Sequence, residues 1–112
     1  MSMSELIPPQ MLEHVAARFR VLGDARRLTI LRELLQSGEL SVGELVARLD
    51  TTQANVSKHL GVLLQAGMVV RRAVGTSAYY SVTDPSLGAL CDIVCNRLRD
   101  QGAEHLRILS TA

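Results

Sequence analysis

With 112 residues, 47% of them apolar, the chain has material for one hydrophobic core and no second, so a single domain over residues 1–112 is expected. Twelve basic and eleven acidic side chains leave a formal charge of +1, which excludes a histone-like polycation and requires any nucleic-acid affinity to come from local charge placement. No apolar run approaches the roughly 20 residues of a membrane span, and MSMSELIPPQ lacks the basic and apolar regions of a secretion signal; a cytoplasmic protein with no membrane partner is expected.

After Pro8 and Pro9, the residues Met11, Leu12, Val15, Phe19 and Leu22 recur at helical spacing up to Gly23, which predicts a first helix over about residues 9–22. Asp24 is then an N-cap, and Leu28, Ile30, Leu31, Leu34 and Leu35 form the apolar stripe of a second helix stopped by Ser37 and Gly38. Ser41 with Glu44 three residues on reads as a capping box for a third, short helix whose apolar face is Leu45, Val46 and Leu49. Asp50, Thr51 and Thr52 break that pattern. A fourth helix follows from Gln53, with Val56, Leu60, Leu63 and Leu64 inward and Gly67 at its end.

The period then changes. MVVRRAV and SAYYSVT flank Gly75 and Thr76, two strands around a tight turn. Asp84 and Pro85 restart the chain into a last helix over about residues 85–109, lined by Leu87, Leu90, Cys91, Val94, Cys95, Leu98, Leu106 and Leu109. The class predicted is mainly α with a β-hairpin wing: four helices, two strands and a fifth helix in the winged helix-turn-helix order. So short a chain with so apolar a composition suggests that some of its surface is covered by a second subunit.

In a helix-turn-helix one helix buttresses a second, whose outward residues near its N-terminus enter the DNA major groove. Turning Val56, Leu60, Leu63 and Leu64 inward leaves Gln53, Ala54, Ser57 and Lys58 outward, with Asn55 and His59 on the flanks. Gln and Asn match adenine edges, Ser reaches base or phosphate, and Lys58 neutralises a phosphate or approaches guanine. Thr52 sits where free backbone N–H groups suit a phosphate, and Arg71 and Arg72 on the hairpin suit the neighbouring backbone or minor groove. A plain solvated helix face would also be polar; it is the helix pair followed at once by a basic hairpin that favours double-stranded DNA. One Phe and two Tyr are too few for a single-strand stacking platform, and at least one of Tyr79 and Tyr80 is expected to pack on the helices.

Cys91 and Cys95 lie four residues apart, so both thiols share one helix face. Two readings of the pair stand side by side: small buried hydrophobes, or a sensor that binds a soft metal or metalloid ion or oxidises to a disulfide, between subunits because a bridge within one helix is strained. A thiol oxidoreductase is the weaker alternative, since the spacing is not Cys-x-x-Cys and no βαβ pattern surrounds it. A winged helix serving only protein contacts is the other.

Residues 22–31, LGDARRLTIL, with residues 38–45, GELSVGEL, the segment VSKHL ending at Leu60, residues 64–69, LQAGMV, and the turn from Gly75 to Tyr80, resemble the ArsR/SmtB family of winged-helix repressors over roughly residues 14 to 83. Ala25 and Arg26 depart from the Pro and small residue common there. The resemblance implies a homodimer built on the first and last helices that binds an inverted repeat and is released by an inducer, of unknown identity here. It also places Thr76 at the wing tip, where a basic residue is common, shifting wing contacts toward Arg71 and Arg72. The family's third-helix cysteine pair is absent, since Ser41 and Gly43 stand there. Its last-helix Asp/His zinc set finds Asp92 and His105 but no second His at the required spacing, and His14 is left as a surface or dimer-face residue.

Overall fold

The computed structural model describes residues 3–102. A one-turn helix α1 (Met3–Leu6) and a 3-10 turn (Pro9–Met11) lead into α2 (Leu12–Leu22), α3 (Ala25–Ser37), β1 (Leu40–Ser41), α4 (Val42–Leu49), α5 (Gln53–Gln65), β2 (Val69–Val74), β3 (Ser77–Val82) and α6 (Ser86–Gln101). The punctuation is local chemistry. The Asp24 carboxylate accepts from the Arg26 and Arg27 backbone N–H groups at 2.8 and 3.4 Å, starting α3. Gly38, at φ 84°, then ends it in a backbone conformation that a side chain disfavours. Ser41 and Glu44 close a reciprocal capping box at α4, and Asp84 accepts from the Ser86 N–H at 2.9 Å where α6 begins.

The sheet has the order β1-β3-β2 and is antiparallel throughout. Its third strand is an addition to the expected hairpin: Leu40 pairs with Tyr80 and Ser41 with Tyr79, which ties the wing back to the start of α4. Tyr80 packs against the core, as expected of at least one tyrosine.

Ile30, Leu31 and Leu34 of α3, Leu45 of α4, Val56, Leu60 and Leu63 of α5, Met68, Val69, Leu40 and Leu87 form one buried cluster with Leu22. Each large side chain there contributes about 1.5–3 kcal/mol by leaving water. The cluster sits beneath the α4–α5 pair and fixes how α5 presents its other face. Several positions differ from expectation: Leu28 and Leu35 of the α3 stripe are exposed. Leu64 is exposed, and His59 takes an inward place beside Val56 and Leu60 at 2% exposure.

The terminal helices behave otherwise. Only Leu22 of α2 and Leu87 of α6 are buried, while Phe19, Ile93, Val94 and Leu98 are exposed. An Arg18–Asp84 ion pair links α2 to the start of α6. Within the described residues α6 ends at Gln101; Leu106, Leu109 and His105 of the expected longer helix lie outside them.

Candidate nucleic-acid interface

Helix α5 begins at a cap: the Thr52 hydroxyl accepts from the Asn55 N–H at 3.1 Å. Asp50, in the left-handed region at φ 50°, turns the chain between α4 and α5, a conformation that Asp tolerates better than most residues. Because α5 buries Val56, His59, Leu60 and Leu63, the 3.6-residue period turns Gln53, Ala54, Ser57, Lys58 and Gly61 outward, and all of these are exposed. The expected reading face is therefore one continuous polar strip on the first two turns.

Two flanking residues are held back. Asn55 is half-buried, and its Nδ2 donates to Thr51 Oγ1 at 3.0 Å, stapling the turn. His59, expected on the flank as either a packing or a phosphate-contacting residue, takes the packing position. The cause is its spacing: three residues after Val56 and four before Leu63, it falls on the buried stripe. Arg27 explains how a polar ring is accommodated. Its guanidinium donates through Nε to the Val21 carbonyl at 2.7 Å and through Nη2 to the Arg20 carbonyl at 3.3 Å, and Nη1 lies 3.4 Å from His59 Nδ1. Burial is the main cause that pushes the His59 pKa below its ordinary value; Asp24 opposes this, while Arg27, Lys58 and Arg26 reinforce it.

On the wing, Arg71, Arg72 and Thr76 are all exposed. Arg72 is already engaged: Nε and Nη2 meet the two Glu39 carboxylate oxygens at 3.0 and 2.6 Å, and the guanidinium lies 5.5 Å from the centroid of the Tyr79 ring. The hydrogen bond and charge of Arg72 hold the Glu39 carboxyl below its usual range. Arg71 lies on the opposite sheet face, paired with Tyr80. It makes no ion pair with another described residue. Neither Glu39 nor Arg27 was singled out by sequence, since their partners are 33 and 32 residues away.

Cys91 and Cys95 are free thiols, both exposed in the single chain. They border an apolar groove of about 320 Å3 between α2 and α6, walled by Phe19, Leu28, Val94 and Leu98. Among the described residues no group of three or more His, Cys, Asp and Glu side chains is placed to hold a metal ion. No helix among them is long and apolar enough to cross a membrane.

Comparison with known proteins agrees with this geometry. Residues 22–72 match a family model described as a helix-turn-helix domain. The chain is 33% identical over 94 residues to the arsenical resistance operon repressor of Bacillus subtilis, covering 83% of this chain and 90% of that protein. It is 35% identical over 75 residues to the transcriptional activator HlyU of Vibrio cholerae, covering 67% and 68% of the two chains. The crystal structure of Rv0081 from M. tuberculosis superposes with a TM-score of 0.75 at 28% identity, covering 89% of this chain and 99% of that one.

Proposed function

The chain belongs to the ArsR/SmtB family of winged helix-turn-helix transcriptional regulators, and from that premise we propose that it acts in the cytoplasm as a homodimeric repressor of a near-palindromic operator. It is a DNA-binding regulator by family, and on this reading it carries out no catalysis. The observation that carries the DNA contacts is the exposed polar strip of α5 above a fully buried opposite face. Gln53, Ala54, Ser57 and Lys58 meet base edges and nearby phosphates, Asn55 offers its free carbonyl oxygen, Thr52 caps the helix end beside a phosphate, and Arg71 with Thr76 follows the backbone from the wing. Two-fold symmetry sets two such helices in successive major grooves about 34 Å apart.

The uncovered apolar faces of α2 and α6 support the dimer, and the thiols in the groove between them support its regulation. The relative from Bacillus subtilis is named for arsenical resistance; here the soft ligands are Cys91 and Cys95, one helical turn apart. A thiophilic metalloid or an oxidant acting there favours one packing of α6 over another. A difference of about 1–3 kcal/mol between the two is enough to change operator affinity roughly 5- to 150-fold.

Mobility shifts on the protein's own promoter test both parts, run reduced, oxidised and with arsenite, zinc or cadmium, beside Cys91→Ser and Cys95→Ser. Release by one treatment that the variants no longer show is the expected result. Specific binding indifferent to every treatment removes the thiol sensor and keeps the regulator, whereas absence of specific binding removes the operator reading.

A further inference from the structure

The glycines of the described residues have backbone reasons, with one exception. Gly38, Gly67 and Gly75 hold positive φ, Gly23 and Gly102 end α2 and α6, and Gly43 and Gly88 stand in the first turns of α4 and α6. Gly61 lies instead in the third turn of α5. Inside a helix a glycine gives up more conformational freedom on folding than an alanine and adds no side chain, so it destabilises the element that carries it. Close packing against another element would account for it, yet a methyl group at Gly61 would stand in open space, with nothing packed within 4 Å. The free chain therefore holds no reason for this glycine.

Its surroundings point to what does approach. Gly61 is exposed, with Lys58 one turn before it and Gln65 one turn after, and the helical period sets all three opposite the buried Val56, Leu60 and Leu63. An open groove of about 530 Å3 runs between that side of α5 and the end of α2, bordered by Val21, Lys58, Gly61, Val62, Gln65 and Ala66. No carboxylate borders it, and Lys58 forms no ion pair with another described residue. An unpaired ammonium and an amide that can donate are complementary to a polyanion with closely spaced acceptor oxygens. With the first two turns of α5 in the major groove, the third turn reaches the groove wall, where the sugar–phosphate backbone passes.

We infer that Gly61 is a positioning residue for operator binding, its missing side chain letting the sugar–phosphate backbone come close enough for Lys58 and Gln65 to reach the phosphates on either side. The inference rests on the DNA reading of α5 above and extends that contact by one turn. A side chain at position 61 stands between the helix and the backbone and lifts Lys58 and Gln65 from their acceptors together. The free protein is less stable for having this glycine, and the complex is tighter.

Gly61→Ala and Gly61→Gln in the full chain test this, because stability and affinity should move in opposite directions. Gly61→Ala is expected to raise the melting temperature of the DNA-free protein by a few degrees while weakening operator binding severalfold, and Gly61→Gln to weaken binding further. Since the backbone carries no sequence information, the loss should be nearly the same on the operator and on its single-base variants. Lys58→Gln should lower the slope of log K against log salt by about 1, and Gly61→Gln should lower it by the same amount. Operator affinity unchanged in both Gly61 variants overturns the positioning role. So does a lowered melting temperature in Gly61→Ala, which would tie the glycine to the fold, and so does a loss confined to one base pair, which would set it against a base edge. A changed sedimentation coefficient with unchanged half-site affinity would give the groove to a protein partner instead. A wild type that binds no operator at any salt concentration sinks the DNA reading itself, and the contact with it.

Discussion

His59 shows how one residue is placed against its own chemistry. A neutral imidazole packed among Val56, Leu60 and Leu63 resists protonation, and its pKa is pushed below 6.5 chiefly by burial. Near pH 6 the unfolded chain therefore binds more protons at this site than the folded one, and stability rises with pH through that region. Full stability is expected above pH 6.5, with loss as pH falls from there toward the lowered folded-state value. Thermal melts between about pH 7.5 and about pH 5 check this, and His59→Gln should flatten the dependence in that interval. Asp24, Glu39 and Asp84, also lowered, act in a separate window, since their contributions are lost only as pH falls below the ordinary carboxylate values of 3.8 to 4.5. The inward position of His59 was legible in its spacing from Val56. Its polarity argued for the flank instead, and the Arg27 contact that resolves the conflict is 32 residues away, beyond any local pattern.

Among the elements, helices were legible because their ends are written in adjacent residues: Asp24, the Ser41–Glu44 box, Thr52 and Gly38 each act within one turn. Strand β1 was not, because two residues carry no periodicity and Leu40–Ser41 exists only by pairing with Tyr79 and Tyr80. The same distance hid the Arg72–Glu39 pair, which makes the wing a braced element rather than a free arm. Since Glu39 directly precedes β1, the pair fixes the hairpin relative to the start of α4. Glu39→Gln and Arg72→Gln are expected to weaken operator binding by similar factors of a few, while leaving the salt slope near its wild-type value. Arg71→Gln should lower the slope by about 1. Binding isotherms at several salt concentrations separate the two; a slope that falls with Arg72→Gln and not with Arg71→Gln would reverse the roles.

The whole molecule is divided between a closed core and an open face. Ile30, Leu31 and Leu34 of α3, Val56, Leu60 and Leu63 of α5 and Val69 of the sheet are buried together, while Phe19 at 55% exposure, Val94 at 49% and Leu98 at 50% face outward from α2 and α6. Those helices were legible as apolar stripes, but the sequence could not tell stripes buried in one chain from stripes left for another. The distinction matters because Arg27 joins the two regions: it holds the carbonyls of Arg20 and Val21 at the end of α2 and the ring of His59 on α5. On the proposed dimer, a change in how α2 packs against the second subunit would have a short polar route to α5. Val94→Glu puts a charge into the apolar groove without touching the core, so the variant should keep its helical content and sediment as a monomer where the wild type sediments as a dimer. Its operator binding should fall to that of a single half-site, because one recognition helix then engages without its tethered partner. Sedimentation velocity with matched footprinting reads both consequences. A Val94→Glu protein that remains dimeric and protects both half-sites would move the subunit contact away from this groove, and with it the route through Arg27 from the thiols to the DNA.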